Sequence, residues 1–121
     1  MMDDDDAVLD VTVQMLKSKG FDVRSAKDGQ EAIDSYKEAF HNNEHFDCTI
    51  MDLTVPGGMG GTEALGEILK FDPKAKVIVS SGYSSNTSND DFFELGFKEI
   101  VQKPFTMLTL LSVVENVMAM S

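Results

Sequence analysis

Three times between residues 46 and 103 the chain builds a short apolar run that stops on a chemically useful side chain. The run 46–52 ends on Asp52, 75–81 on Ser81 and 98–103 on Lys103. Between the first two, Ala64, Leu65, Ile68 and Leu69 recur at helical spacing. Strands that alternate with helices pair in parallel, because each helix carries the chain back to the start of the next strand. The expected class is therefore α/β, a parallel sheet covered by helices on both faces. In such a sheet the carboxyl ends of the strands share one rim, where ligands and chemistry collect. Asp52, followed by the glycine-rich stretch 55–61, is either a site carboxylate on that rim or simply the polar residue that stops a strand.

Composition narrows the functions open to such a sheet. The 121 residues suffice for one domain, spanning 1–121, with a real core. Ten basic against twenty-one acidic residues give a formal charge of −11, which repels nucleic acid phosphates and anionic lipid. No direct nucleic acid partner and no membrane insertion are expected, since no apolar run approaches the ~20 residues of a span. Met1-Met2 followed by four aspartates has the wrong charge for a secretory leader. The single cysteine, Cys48, lies inside an apolar run and fits a reducing, cytoplasmic setting.

Met1 and Met2 look like the end of a strand entering an acidic turn. Strands usually have about five or six residues, so this first strand reads as truncated, as if the chain began partway through it. Otherwise another segment or a second chain must fill the slot, or stability suffers. Residues 7–19 form a predicted helix with Val8, Val11, Met15 and Leu16 inward, capped by Asp5 or Asp6 and stopped by Gly20. Residues 21–26 alternate as a short edge strand does. Asp28, three before Glu31, opens a second helix carrying Ala32, Ile33, Tyr36 and Phe40. His41 and His45 have a metal-pair spacing only on a helix, and Asn42-Asn43 argues for a loop instead. A third helix spans 62–71. The stretch 82–91 is weakly patterned, so its helix should start late and be short, contributing Phe92, Phe93 and Leu95. Thr106 caps a last helix with more apolar residues than one buried face requires, a candidate homodimer or effector surface.

The strand ends then gather Asp3 and Asp4, Asp52, Ser81 and Lys103 on one rim. Clustered carboxylates raise one another's pKa values unless a cation neutralises them. An oxygen-rich, water-accessible set suits Mg²⁺, while Lys103 and the Ser81 hydroxyl can meet phosphoryl oxygens.

The order and spacing of these groups resemble the two-component response-regulator receiver domain, chemotaxis-regulator-like. The resemblance rests on Asp3-Asp4, on Asp52 with Pro56 four residues on, on Ser81-Gly82 and on Lys103-Pro104. It implies a flavodoxin-like, doubly wound, five-stranded parallel sheet of order 2-1-3-4-5 with five helices. It also implies that Asp52 accepts a phosphoryl group from a histidine kinase or phosphotransfer domain. Asp4, Asp52 and the Thr54 backbone carbonyl would hold Mg²⁺, with Asp3 on a metal-bound water. Ser81 would donate to the phosphoryl group, Lys103 would pair with it, and the Lys103-Pro104 bond would be cis. Such a module is not an enzyme on external substrates; it assists only its own phosphotransfer and hydrolysis.

This sequence also departs from the commonest receiver pattern. The 55–61 loop is a residue longer and richer in glycine, as in receivers of hybrid sensor histidine kinases. Ile100 stands where many receivers carry an aromatic switch residue, while Tyr83 and Thr54 occupy positions that tune dephosphorylation. Competing readings are a pseudo-receiver without phosphorylation, a haloacid-dehalogenase-type aspartyl-phosphate hydrolase, and a flavodoxin-like flavin carrier. The hydrolase lacks its second aspartate, since Thr54 stands there, and the flavin phosphate would meet four aspartates.

Overall fold

The computed structural model describes residues 1–53, 55, 57–82 and 89–120. Its elements in chain order are α1 (Asp6–Ser18), α2 (Gly29–His41), β1 (Thr49–Asp52), α3 (Gly61–Phe71), β2 (Val77–Ser81), α4 (Asn89–Leu95), β3 (Glu99–Gln102) and α5 (Met107–Met118). β1, β2 and β3 form a parallel sheet in that order, with Asp52 opposite Ser80 and Ser81 opposite Gln102. This register brings the three polar strand ends to one rim.

Beyond β1 the sheet continues only as isolated parallel bridges, Met2 to Met51 on one side and Met2 to Ala26 on the other. The expected neighbours are present in the expected succession, but two of the five expected strands are reduced to bridges. Residues 21–26 in particular are not a strand. A ladder needs a facing row of amides and carbonyls, and only Met1, Met2 and Asp3 offer one, through Ala26 N–H to the Met1 carbonyl and Asp3 N–H to the Ala26 carbonyl.

Each face of the sheet has its own core. Met51, Val77 and Val79 pack with Ile33 and Tyr36 of α2, Leu65 and Ile68 of α3, and Phe92 of α4. Ile50, Ile78 and Val101 pack on the opposite face with Leu16 of α1 and Leu110, Val114 and Val117 of α5. β2 is buried along its whole length, which explains why its sequence is continuously apolar until the serines.

α1, α2 and α5 start where capping chemistry predicts. Asp5 accepts from the Ala7 and Val8 amides, Asp28 from Glu31 and Thr106 from Thr109. α4 is described over Asn89–Leu95, and of the weakly patterned stretch before it residues 83–88 lie outside the described residues. α1, however, buries Leu9, Thr12 and Leu16 and leaves Val11 exposed. With apolar residues at 8, 9, 11, 13, 15 and 16, two faces of this helix are nearly equivalent in sequence, and packing on the sheet chooses the other one. His41 and His45 stack edge-on with Phe40, and His41 also with Phe71, a packing role rather than a metal pair.

Candidate functional site

The site is built where the amino-terminal acidic turn is stitched to the end of β1. Met2 N–H donates to the Ile50 carbonyl and Asp52 N–H to the Met2 carbonyl, which fixes Asp3 beside Asp52. Asp3 is fully buried, its Oδ1 accepting from the Asp5 amide at 2.9 Å. From the other side, Lys103 N–H donates to the Ser81 carbonyl at 2.8 Å, extending the ladder just past β3. The Lys103 Nζ then lies 2.8 Å from Asp3 Oδ2 and 3.3 Å from Asp52 Oδ2. The Lys103-Pro104 peptide is cis, as expected.

Carboxylate oxygens of Asp3, Asp4 and Asp52 lie within 4.8 Å of one another, with Asp4 exposed to solvent. Three carboxylates against one ammonium leave a local excess of negative charge. Burial above all, opposed by Lys103 and reinforced by the charge of Asp3 and a hydrogen bond with Asp4, raises the Asp52 carboxyl to about 6. Burial works against the Lys103 ammonium, but the hydrogen bond and charge of Asp3, with the charge of Asp52, outweigh it and hold its pKa above the ordinary lysine value. An all-oxygen donor set with one water-accessible member fits a hard divalent cation such as Mg²⁺.

Ser81 ends β2, buried on the same rim. Thr54, Pro56 and Tyr83 lie outside the described residues. Ile100 is half-buried against the core between the sheet and α2–α4.

Sequence reasoning gave no role to two glycines that shape this rim. A Cβ at Gly61 would sit 2.7 Å from the Asp52 carbonyl oxygen, and Gly61 N–H donates to the Leu53 carbonyl, so the start of α3 closes tightly under Asp52. Gly29 N–H donates to the Met59 carbonyl at 2.7 Å, and a Cβ there would meet Met59 Cγ at 2.7 Å. The loop after β1 is thus pinned to the first turn of α2. The adjoining Gly-Gly at 60–61 and the Asp28-Gly29 step were the available signals, but close backbone approach depends on tertiary partners.

Fold and rim together define a flavodoxin-like α/β domain with an acidic site suited to a cation. Residues 1–115 match the family model of the response regulator receiver domain. The chain is 39% identical over 93 residues to protein CcdB of Bacillus subtilis, covering 77% of this chain and 72% of that one. It is 35% identical over 104 residues to chemotaxis protein CheY of Thermotoga maritima, covering 84% and 82%. The CheX-CheY-BeF3-Mg complex from Borrelia burgdorferi contains a chain that superposes with a TM-score of 0.86 at 30% identity, covering 98% of this chain and 87% of that one. This chain belongs to the response regulator receiver domain family, and is a CheY-like signalling domain of two-component systems. Among the described residues, no helix is long and apolar enough to cross a membrane.

Proposed function

We propose that the domain is a cytoplasmic phospho-acceptor in which Asp52 takes a phosphoryl group from the phosphohistidine of a histidine kinase or phosphotransfer domain. The observation that carries this reading is the convergence of Asp3, Asp4 and Asp52 with Lys103 at the carboxyl end of β1. An Asp52 carboxylate oxygen forms the new O–P bond as the P–N bond of the donor breaks, and the electron pair leaves with the imidazole. Phosphoryl transfer asks for an in-line nucleophile and charge neutralisation more than for acid or base groups. Lys103 supplies part of that neutralisation, exchanging its contact with Asp52 for one with the incoming oxygens. Asp4 and Asp52, with the Thr54 carbonyl, would hold Mg²⁺, and Asp3 would orient a water on it. When bound, the ion offsets charge on the phosphoryl oxygens.

Ser81 donates its hydroxyl to the phosphoryl group, and that new contact favours a second conformation with different partner affinity. The apolar surplus on α5, where Leu108 is 81% exposed, supports a homodimer or effector contact there. Hydrolysis of the acyl phosphate is the domain's only turnover in this reading.

The experiment is Mg²⁺-dependent labelling by acetyl phosphate. Asp52→Asn abolishes it if Asp52 is the acceptor, whereas undiminished labelling of that variant overturns the assignment.

A further inference from the structure

Ser80 is buried on β2, only 1% exposed, and its Oγ has no hydrogen-bond partner among the described residues. A buried hydroxyl left in that state is costly, so what stands beside it matters. The parallel register sets Asp52 and Val101 directly next to Ser80 on the two neighbouring strands, and the bridge of Met2 to Met51 continues the same row to Asp3. Alternation along β2 puts Ser80 on the face of Ile78, which Ile50 and Val101 line with apolar side chains. Lys103, two residues past Val101, crosses β2 on this side to reach Asp52 Oδ2 at 3.3 Å and Asp3 Oδ2 at 2.8 Å. Adjacent strands lie about 4.8 Å apart, so rotation about one torsion aims the Ser80 hydroxyl at the Asp52 carboxylate.

We propose that Ser80 is the hydrogen-bond donor to the leaving carboxylate when an acyl phosphate at Asp52 is hydrolysed, and that it thereby shortens the phosphorylated lifetime. The inference deepens the acceptor reading and rests on it. In hydrolysis a water oxygen bonds to phosphorus as the P–O bond to Asp52 breaks. The electron pair returns to the carboxylate, and the proton of the water leaves with the phosphate. Negative charge therefore grows on the Asp52 oxygens during this step. Once Lys103 has turned to the phosphoryl oxygens, the carboxyl has lost that donor, and Ser80 is the hydroxyl beside it in the row, enclosed where water competes poorly. Ser80 keeps its own proton throughout. A donor that engages as charge develops holds the transition state more strongly than the ground state, which is the condition for a rate effect.

The experiment labels the protein with radioactive acetyl phosphate in Mg²⁺, removes the donor and follows loss of the label. Ser80→Ala should lengthen the half-life about three- to tenfold, the worth of one hydrogen bond, while the initial rate of labelling stays within about twofold of the parent's. Ser80→Thr restores a hydroxyl and should bring the half-life back toward the parent's. Thr12→Val removes another buried hydroxyl, on the inward face of α1, and should leave the half-life unchanged. The urea midpoint of unlabelled Ser80→Ala should equal or exceed the parent's, because the hydroxyl removed is unpaired there. The proposal is overturned if Ser80→Ala loses label at the parent rate, if Ser80→Thr behaves like Ser80→Ala, or if Thr12→Val prolongs the label equally, which is a packing effect. A lower midpoint for Ser80→Ala overturns it as well. A parent that takes no label sinks the acceptor reading and this inference with it, whereas a labelled parent with no change at Ser80 sinks this inference alone.

Discussion

Lys103 lies closer to Asp3, at 2.8 Å, than to Asp52, at 3.3 Å. The lysine of the rim is therefore first a counter-ion for a fully buried carboxylate, and only second a neighbour of the candidate acceptor.

Lys103→Ala should accordingly destabilise the fold as well as impair labelling. Removing one partner of a buried pair costs about 3–5 kcal/mol. Because the Lys103 side chain is 26% exposed, water screens part of this and about 2 kcal/mol is expected. Urea unfolding in the presence of a chelator checks it, and a midpoint equal to that of the parent would mean that water already compensates Asp3.

Two glycines of α3 should respond oppositely to alanine. Gly61→Ala drives a methyl against the Asp52 carbonyl oxygen, at 2.7 Å before relaxation, and should cost about 1–3 kcal/mol and slow labelling at Asp52. Gly66→Ala meets nothing within 4 Å on an exposed helical position and should stabilise by about 0.5–1 kcal/mol. Thermal melts of the two variants, with acetyl phosphate labelling of the first, separate these outcomes.

Tyr36→Phe tests how α2 is fastened to the end of α3. The Tyr36 hydroxyl donates to Asp72 Oδ2 at 2.7 Å, and Asp72 also accepts from the Lys74 amide. Burial, then the hydrogen bond and charge of Asp72, push the phenol well above its ordinary pKa. Loss of this bond should cost about 1–2 kcal/mol in urea unfolding, with acetyl phosphate labelling unchanged.

Much of this site was legible because its residues terminate apolar runs, and strand ends of a parallel sheet share a rim whatever the details of packing. Asp52, Ser81 and Lys103 needed only the pattern of their own strands. The preference of Lys103 for Asp3 was not legible, since it depends on how far the acidic turn is drawn in by the two rungs at Met2. The contacts of Gly29 and Gly61 were hidden for a related reason: they are distances between segments, and a glycine in a loop carries the same letter whether it turns the chain or clears a neighbour. On α1 the pattern itself was ambiguous, and only docking could choose between Val11 and Leu9. Residues 21–26 showed strand alternation, but alternation describes a surface and cannot supply the missing ladder partner.

The bridges at Met2 also divide the molecule by strength. β2 is buried throughout and bonded on both sides, whereas the segment at Ala26 reaches the sheet through Met1, Met2 and Asp3. Local opening should therefore be cheapest at the amino-terminal edge and most costly at β2. Asp3 and Asp4 belong to the loosely held part and Asp52 and Lys103 to the firm part, so closing the acidic cluster and ordering that edge are one equilibrium. Any agent that draws these carboxylates together also tightens the amino-terminal third of the fold, and anything that frays that edge dilutes the site.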